Sequence, residues 1–134
     1  GEDVLSEMCR IVNIDKELIK QNELNSIGAQ YIMKGINSEF WEKVEEDCEN
    51  LFTEITKLNN HKKSLDPSYH ELQIWCADMW AVLWNAWLAG HETKVDKDLD
   101  FCWASDAISN WNNVSIFHNA GVTEDMNNLL KIKK

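Results

Sequence analysis

The segment from His70 to His91, HELQIWCADMWAVLWNAWLAGH, carries four of the chain's seven tryptophans. Indoles are large and mostly apolar, so a run this dense must be covered on most of its sides. That requirement limits the fold more than any other feature of the chain. Asp66 followed by Pro67, the only proline, is a helix-start signal, and Gly90 is a natural terminator. The pattern predicts one helix from about residue 67 to 89. On it Trp80, Trp84 and Trp87 share one side, while Leu72, Met79, Leu83 and Ala86 cover another. Glu71, Asp78 and Asn85 recur at seven-residue steps and so return to about the same face, forming a narrow polar seam.

A membrane span needs about 20 predominantly apolar residues, and an acid near its middle is costly. The apolar run from Ile74 to Gly90 is shorter and is interrupted by Asp78 and Asn85. The expectation is a core helix of a soluble protein with no membrane span. At 134 residues the chain is one domain or a piece of one. A net charge of −10 argues against general nucleic-acid binding, which needs surplus Lys and Arg to neutralise phosphates. The cysteines at 9, 48, 76 and 102 form no CxxC pair. Structural zinc is therefore disfavoured, and a reducing, cytoplasmic setting is expected. Nothing resembles a signal peptide.

Before the tryptophan segment, two short helices are predicted over 3–12 and 15–24. A short strand in SIGAQYIM follows, entered through Gly28. Asn37 or Ser38 then caps a long helix to about Asn60, with Phe40, Trp41, Val44, Cys48, Leu51, Phe52, Ile55 and Leu58 as its buried stripe. Glu39, Glu42, Glu45, Glu46 and Asp47 read as a solvated acidic face suited to the helix dipole. After Gly90, HETKV reads as a strand, DKDLDFCWA as extended or loop, SDAISNWNN as a turn or short helix, and VSIF as another strand. Thr123 caps a final helix. The fold class is α+β and helix-dominated: two long helices against a few short strands.

Asp78 is the first candidate for chemistry. A carboxylate in a covered helix is either satisfied by an internal partner or faces a cleft, where it can act as a general base. His118, at a strand end, is followed by Asn119, Ala120 and Gly121, small residues that let backbone approach a ligand. A lone histidine is more often an ordinary polar residue. The acids at 96, 98 and 100 do not make a calcium loop, because Phe101 and Ala107 stand where Gly and Glu are required. Trp103 and Trp111 could stack on a sugar ring, yet indoles are mainly packing material.

Taken in order, GAQYIMKG, FWEKV, HELQIWCADMWAVLWNAW, LDFCWA and IFHNAGV resemble the C-terminal, acceptor-side half of GT-A type nucleotide-sugar glycosyltransferases of bacterial and phage-like origin. The likeness runs from about Ser26 to Met126, leaving residues 1–25 as an N-terminal helical segment and 26–134 as the glycosyltransferase-like portion. It implies a divalent ion (manganese or magnesium) in the complete enzyme, with His118 as one ligand. It implies Asp78 as catalytic base or positioning group, and Gln30, Asn119 and Gly121 as substrate contacts. The partners implied are a nucleotide sugar and a saccharide or other hydroxyl acceptor. The nucleotide-binding half, which ends in an Asp-x-Asp motif after an apolar strand, has no counterpart here, since the triplets at 96–98 and 98–100 lack that strand, so the resemblance implies a fragment inactive alone. Its Trp-rich surface could be covered by a second copy, as a homo-oligomer. On this reading Asp78 and His118 open toward one cleft. The alternative is a non-catalytic helical interaction domain, with each residue sealed by an internal partner.

Overall fold

Val4, Met8 and Val12 recur every fourth residue, and this apolar face builds helix α1, Glu2–Val12. It stops where Asn13 adopts a left-handed conformation, φ 60°, and returns its N–H to the Cys9 carbonyl. Asp15 then caps α2, Lys16–Gln21, by accepting from the Glu17 N–H at 2.8 Å, and a 3-10 turn follows at Glu23–Asn25. The computed structural model describes residues 1–25, 28 and 30–118. Its chain divides into two units, Gly1–Lys94 and Val95–Lys134, each described by itself below.

Helix α3, Ser38–Leu65, is the longest element of the first unit. Asn37 caps it by accepting from the Phe40 N–H at 3.0 Å, as the sequence suggested. Phe40, Val44, Leu51 and Ile55 are buried along it, and α4, Ala77–Leu88, packs against that side. α1 also packs on α3. Between α3 and α4 the core has a polar link. Asn85 donates through Nδ2 to Asp47 Oδ2 at 2.7 Å and to the Ala81 carbonyl at 3.0 Å. Lys43 donates to the same Asp47 oxygen at 2.6 Å and to the Val12 carbonyl at 3.3 Å.

Several expectations are corrected by the structure. The helix predicted over 67–89 begins ten residues later, at Ala77. Asp66 does not start a helix; it closes α3. Its carboxylate accepts from the Ser68 N–H at 2.9 Å and from the Ser68 hydroxyl at 2.7 Å, and Pro67 disfavours helical backbone at the residue before it. The chain from Tyr69 to Gln73 then runs without helix or strand, pinned by buried Asn59. The Asn59 side chain donates to the Leu72 carbonyl at 2.9 Å and accepts from the Tyr69 hydroxyl at 3.2 Å.

Secondly, the acidic run is not wholly solvated, because Asp47 is 4% exposed. It occupies the buried side of α3, three residues after Val44 and four before Leu51. Thirdly, Trp41 and Phe52 are exposed and Cys48 half-buried, so the apolar stripe expected on α3 is not all core.

No strand forms at Gly28 or Gln30–Met33, nor over HETKV. Thr93 instead accepts from the Trp87 indole N–H at 2.9 Å and donates to the Asn25 carbonyl at 3.2 Å. These side-chain bonds fasten the segment after α4 without a ladder.

In the second unit, a 3-10 turn at Lys97–Leu99 leads into β1, Phe101–Trp103. A four-residue helix α5, Ile108–Trp111, precedes β2, Ile116–His118. The strands pair in parallel, with Phe101 opposite Ile116 and Trp103 opposite His118. The strand expected in VSIF and the short helix in SDAISNWNN are therefore present, and the helix-dominated α+β class holds. Among the described residues the sheet has only these two strands. The helix expected after Thr123 lies outside the described residues.

Candidate functional site

Asp78 does not sit in the middle of a buried rod. Because α4 starts at Ala77, Asp78 lies in the first helical turn and is exposed to solvent. An acid there is favoured by the N-terminal end of the helix dipole, which explains its presence without burial. The buried polar residue of the anticipated seam is Asn85, 3% exposed, whereas Glu71 precedes the helix and is exposed.

What surrounds Asp78 gives it interest. Tyr31 reaches α4 through a long hydrogen bond from its hydroxyl to the Met79 carbonyl, at 3.5 Å. Burial pushes the Tyr31 phenol up to about 12, and the Asp78 charge pushes it the same way. The Cys48 thiol of α3 is likewise pushed up, by burial first, then by Asp78 and Glu49. The exposed Asp78 carboxylate thus acts electrostatically on two half-buried groups, the Tyr31 phenol and the Cys48 thiol. Gln30, half-buried, immediately precedes Tyr31, which is itself anchored to the first turn of α4.

These shifts give a direct test. Of the two tyrosines, Tyr31 should ionise about two pH units later than an ordinary phenol near 10 in an ultraviolet titration of the folded chain. Tyr31→Phe should remove that late phase, and Asp78→Asn should move it a smaller distance down, since burial is the larger cause. The sign for stability follows. A folded-state value above the unfolded one leaves the contribution intact below pH 10, and it is lost as pH rises toward about 12. A single phase near pH 10 for both phenols would contradict the placement of Tyr31.

His118 belongs to the second unit. Its ring lies 4.5 Å from Trp103 and 5.4 Å from Phe101, centroid to centroid, and these two rings meet edge-on at 5.2 Å. The parallel register creates this cluster, because positions 101, 103, 116 and 118 share one face of the strand pair. The backbone closes it too, the Ala104 N–H donating to the His118 carbonyl at 3.2 Å. Asn119 and Gly121 lie outside the described residues.

Among the described residues no three His, Cys, Asp or Glu side chains come together in a way that could hold a metal ion. His118 would offer one ligand, and the described residues do not complete a set. The acids at 96–100 form a turn in which the Asp96 carboxylate accepts from the Asp98 N–H at 3.2 Å.

A separate groove of about 330 Å³ in the first unit is lined by Val4, Met8, Tyr69, Glu71, Trp80 and Trp84 among others, and Asp78 is not one of its lining residues. The Trp80 indole N–H is buried with no hydrogen-bond partner among the described residues.

Two features escaped the sequence reading. One is Tyr31 as the neighbour of Asp78, which only the path of an irregular segment creates. The other is Asp47, whose position among Phe40, Val44 and Leu51 was a signal available in the spacing.

The chain matches no protein-family model, and neither a curated protein nor a solved structure is detectably similar to it.

Proposed function

We propose that this chain is the acceptor-side portion of a metal-dependent glycosyltransferase, which moves a sugar from a nucleotide-sugar donor to an acceptor hydroxyl. The observation that supports this reading is pairwise. Tyr31 of GAQY meets Met79 of CADMW, and LDFCWA lies beside IFH through the β1–β2 register. Motifs far apart in the chain, noted for their likeness to one family, are neighbours in space within each unit.

Asp78 is the residue of this chain suited to the acceptor. An exposed carboxylate on a rigid helix end can take the proton of an incoming hydroxyl as that oxygen bonds the donor's anomeric carbon. The bond from that carbon to the diphosphate oxygen breaks, and the nucleoside diphosphate leaves with the electron pair. Gln30, Asn119 and Gly121 are assigned to substrate. His118 is assigned to a divalent ion in the complete enzyme, and no step above depends on it. The four unpaired cysteines suit a reducing, cytoplasmic setting.

Sugar-nucleotide hydrolysis with manganese, measured on the full-length protein, tests this. Asp78→Asn should lower turnover by about 100-fold or more, and His118→Ala should raise the manganese concentration needed for half-maximal turnover, with circular dichroism unchanged in both. Undiminished turnover in the first and an unchanged manganese requirement in the second would remove the named residues from the reaction.

A further inference from the structure

The surface of α3 carries a feature that neither the core nor the proposed reaction uses. Trp41 and Phe52 are 48% and 52% exposed, and half-buried Cys48 lies between them. At about 100° per residue these three positions fall within roughly 40° of one another on the helix, so they form one line. The line runs beside the buried side of α3. Trp41 is held edge-on by Phe40, with ring centroids 5.1 Å apart and planes at 87°, so the indole is braced.

The charges along this line have one sign. Glu45 lies next to it, with Glu49 and Glu42 beyond on the same side, away from the core, and all three are exposed. Asp78 adds its charge at Cys48. Lys43, the basic residue of this stretch of α3, projects from the far side of the helix and is held by Asp47. The face therefore offers two aromatic anchors in an acidic frame, on a chain of net charge −10. Anionic lipid and nucleic-acid phosphates are repelled by such a frame.

We infer that this face of α3 docks a basic amphipathic helix of a partner protein. Trp41 and Phe52 would enter its apolar side, and Lys or Arg beside that side would meet Glu42, Glu45 and Glu49. The two anchors are eleven residues apart, about 16 Å along the axis, so the partner segment spans about three turns. This inference needs neither Asp78 as a base nor His118 as a ligand, and stands apart from the glycosyltransferase reading.

The test uses a fluorescent helical Leu/Lys peptide of about 14 residues and its Leu/Glu counterpart, titrated with the 134-residue chain and followed by anisotropy. The Leu/Lys peptide should bind and the Leu/Glu peptide should not. Trp41→Ser with Phe52→Ser should weaken binding by about 10-fold or more, since aromatic anchors dominate such contacts. Glu45→Gln with Glu49→Gln should weaken it by about 3-fold or more and flatten its salt dependence. Glu17→Gln with Glu23→Gln, acids elsewhere in the first unit, should leave it unchanged. All four positions of the two test pairs are exposed, so circular dichroism should report an intact fold. Absence of Leu/Lys binding would overturn the inference. So would binding that ignores Trp41 and Phe52, or that falls equally with the control acids, which would mark diffuse charge attraction only.

Discussion

Trp84→Ala is expected to destabilise the chain by about 3–5 kcal/mol in denaturant unfolding, while Trp75→Ala changes stability by about 0.5 kcal/mol or less. The two residues lie in one tryptophan-rich segment, yet Trp84 is 1% exposed and Trp75 is 73% exposed. Removing the Trp84 indole loses its transfer free energy and leaves a hole between α4 and its neighbours. Trp80, whose ring meets it edge-on at 5.9 Å, loses a partner as well. The adjoining groove already contains space, so some collapse into it is open to the variant, which sets the lower end of the range. Trp75 precedes α4 and its indole is largely in water, so truncation forfeits little. Equal losses for the two variants would contradict the boundary of α4 at Ala77.

Asp47→Ala is expected to cost about 2–3 kcal/mol, and Asp47→Asn clearly less. Asp47 Oδ2 is the shared acceptor of Lys43 and Asn85, and alanine strands both donors. The Asn85 amide stays buried when this happens, and it retains only its bond to the Ala81 carbonyl. Lys43 is 44% exposed and can turn to solvent, so its share of the loss is discounted. Asparagine keeps an acceptor for the Asn85 amide, giving up the charge and exchanging one oxygen for an amide NH2. Asp47→Ala with Asn85→Ala should cost less than the two single changes added together, because the second removes a donor the first had stranded. Strict additivity in that cycle would mean the two side chains do not act as a pair.

The fold was partly legible in the residues. Asn37 before FWEKV marked the start of α3, and the 40, 44, 51, 55 spacing marked its core side. The Asp66–Pro67 pair was read in the wrong direction. The same chemistry that begins a helix can end one, since an Asx turn and a proline both interrupt helical backbone. That single error placed Asp78 deep inside a rod; ten residues of unwound chain bring it to a helix end in solvent. Asp47 was misjudged for another reason: residue type suggested solvent, while its angular position on α3 did not.

At the candidate site, Asp78 and His118 could be singled out from composition, but their neighbours could not. Tyr31 comes to Asp78 along a segment with no regular structure, and periodicity says nothing about where such a segment goes. Trp103 meets His118 through a parallel pairing of two three-residue strands, too short for alternation to reveal a register.

The residues alone determined that α1 and α3 are helices, where α3 begins, and that the tryptophan segment is largely covered. Those outcomes follow from local spacing and capping, which act within a few residues of chain. Which tryptophans are buried, which acid is internal and what stands beside Asp78 were decided only by tertiary packing. Each depends on a partner tens of residues away, and burial is a property of the pair rather than of either member.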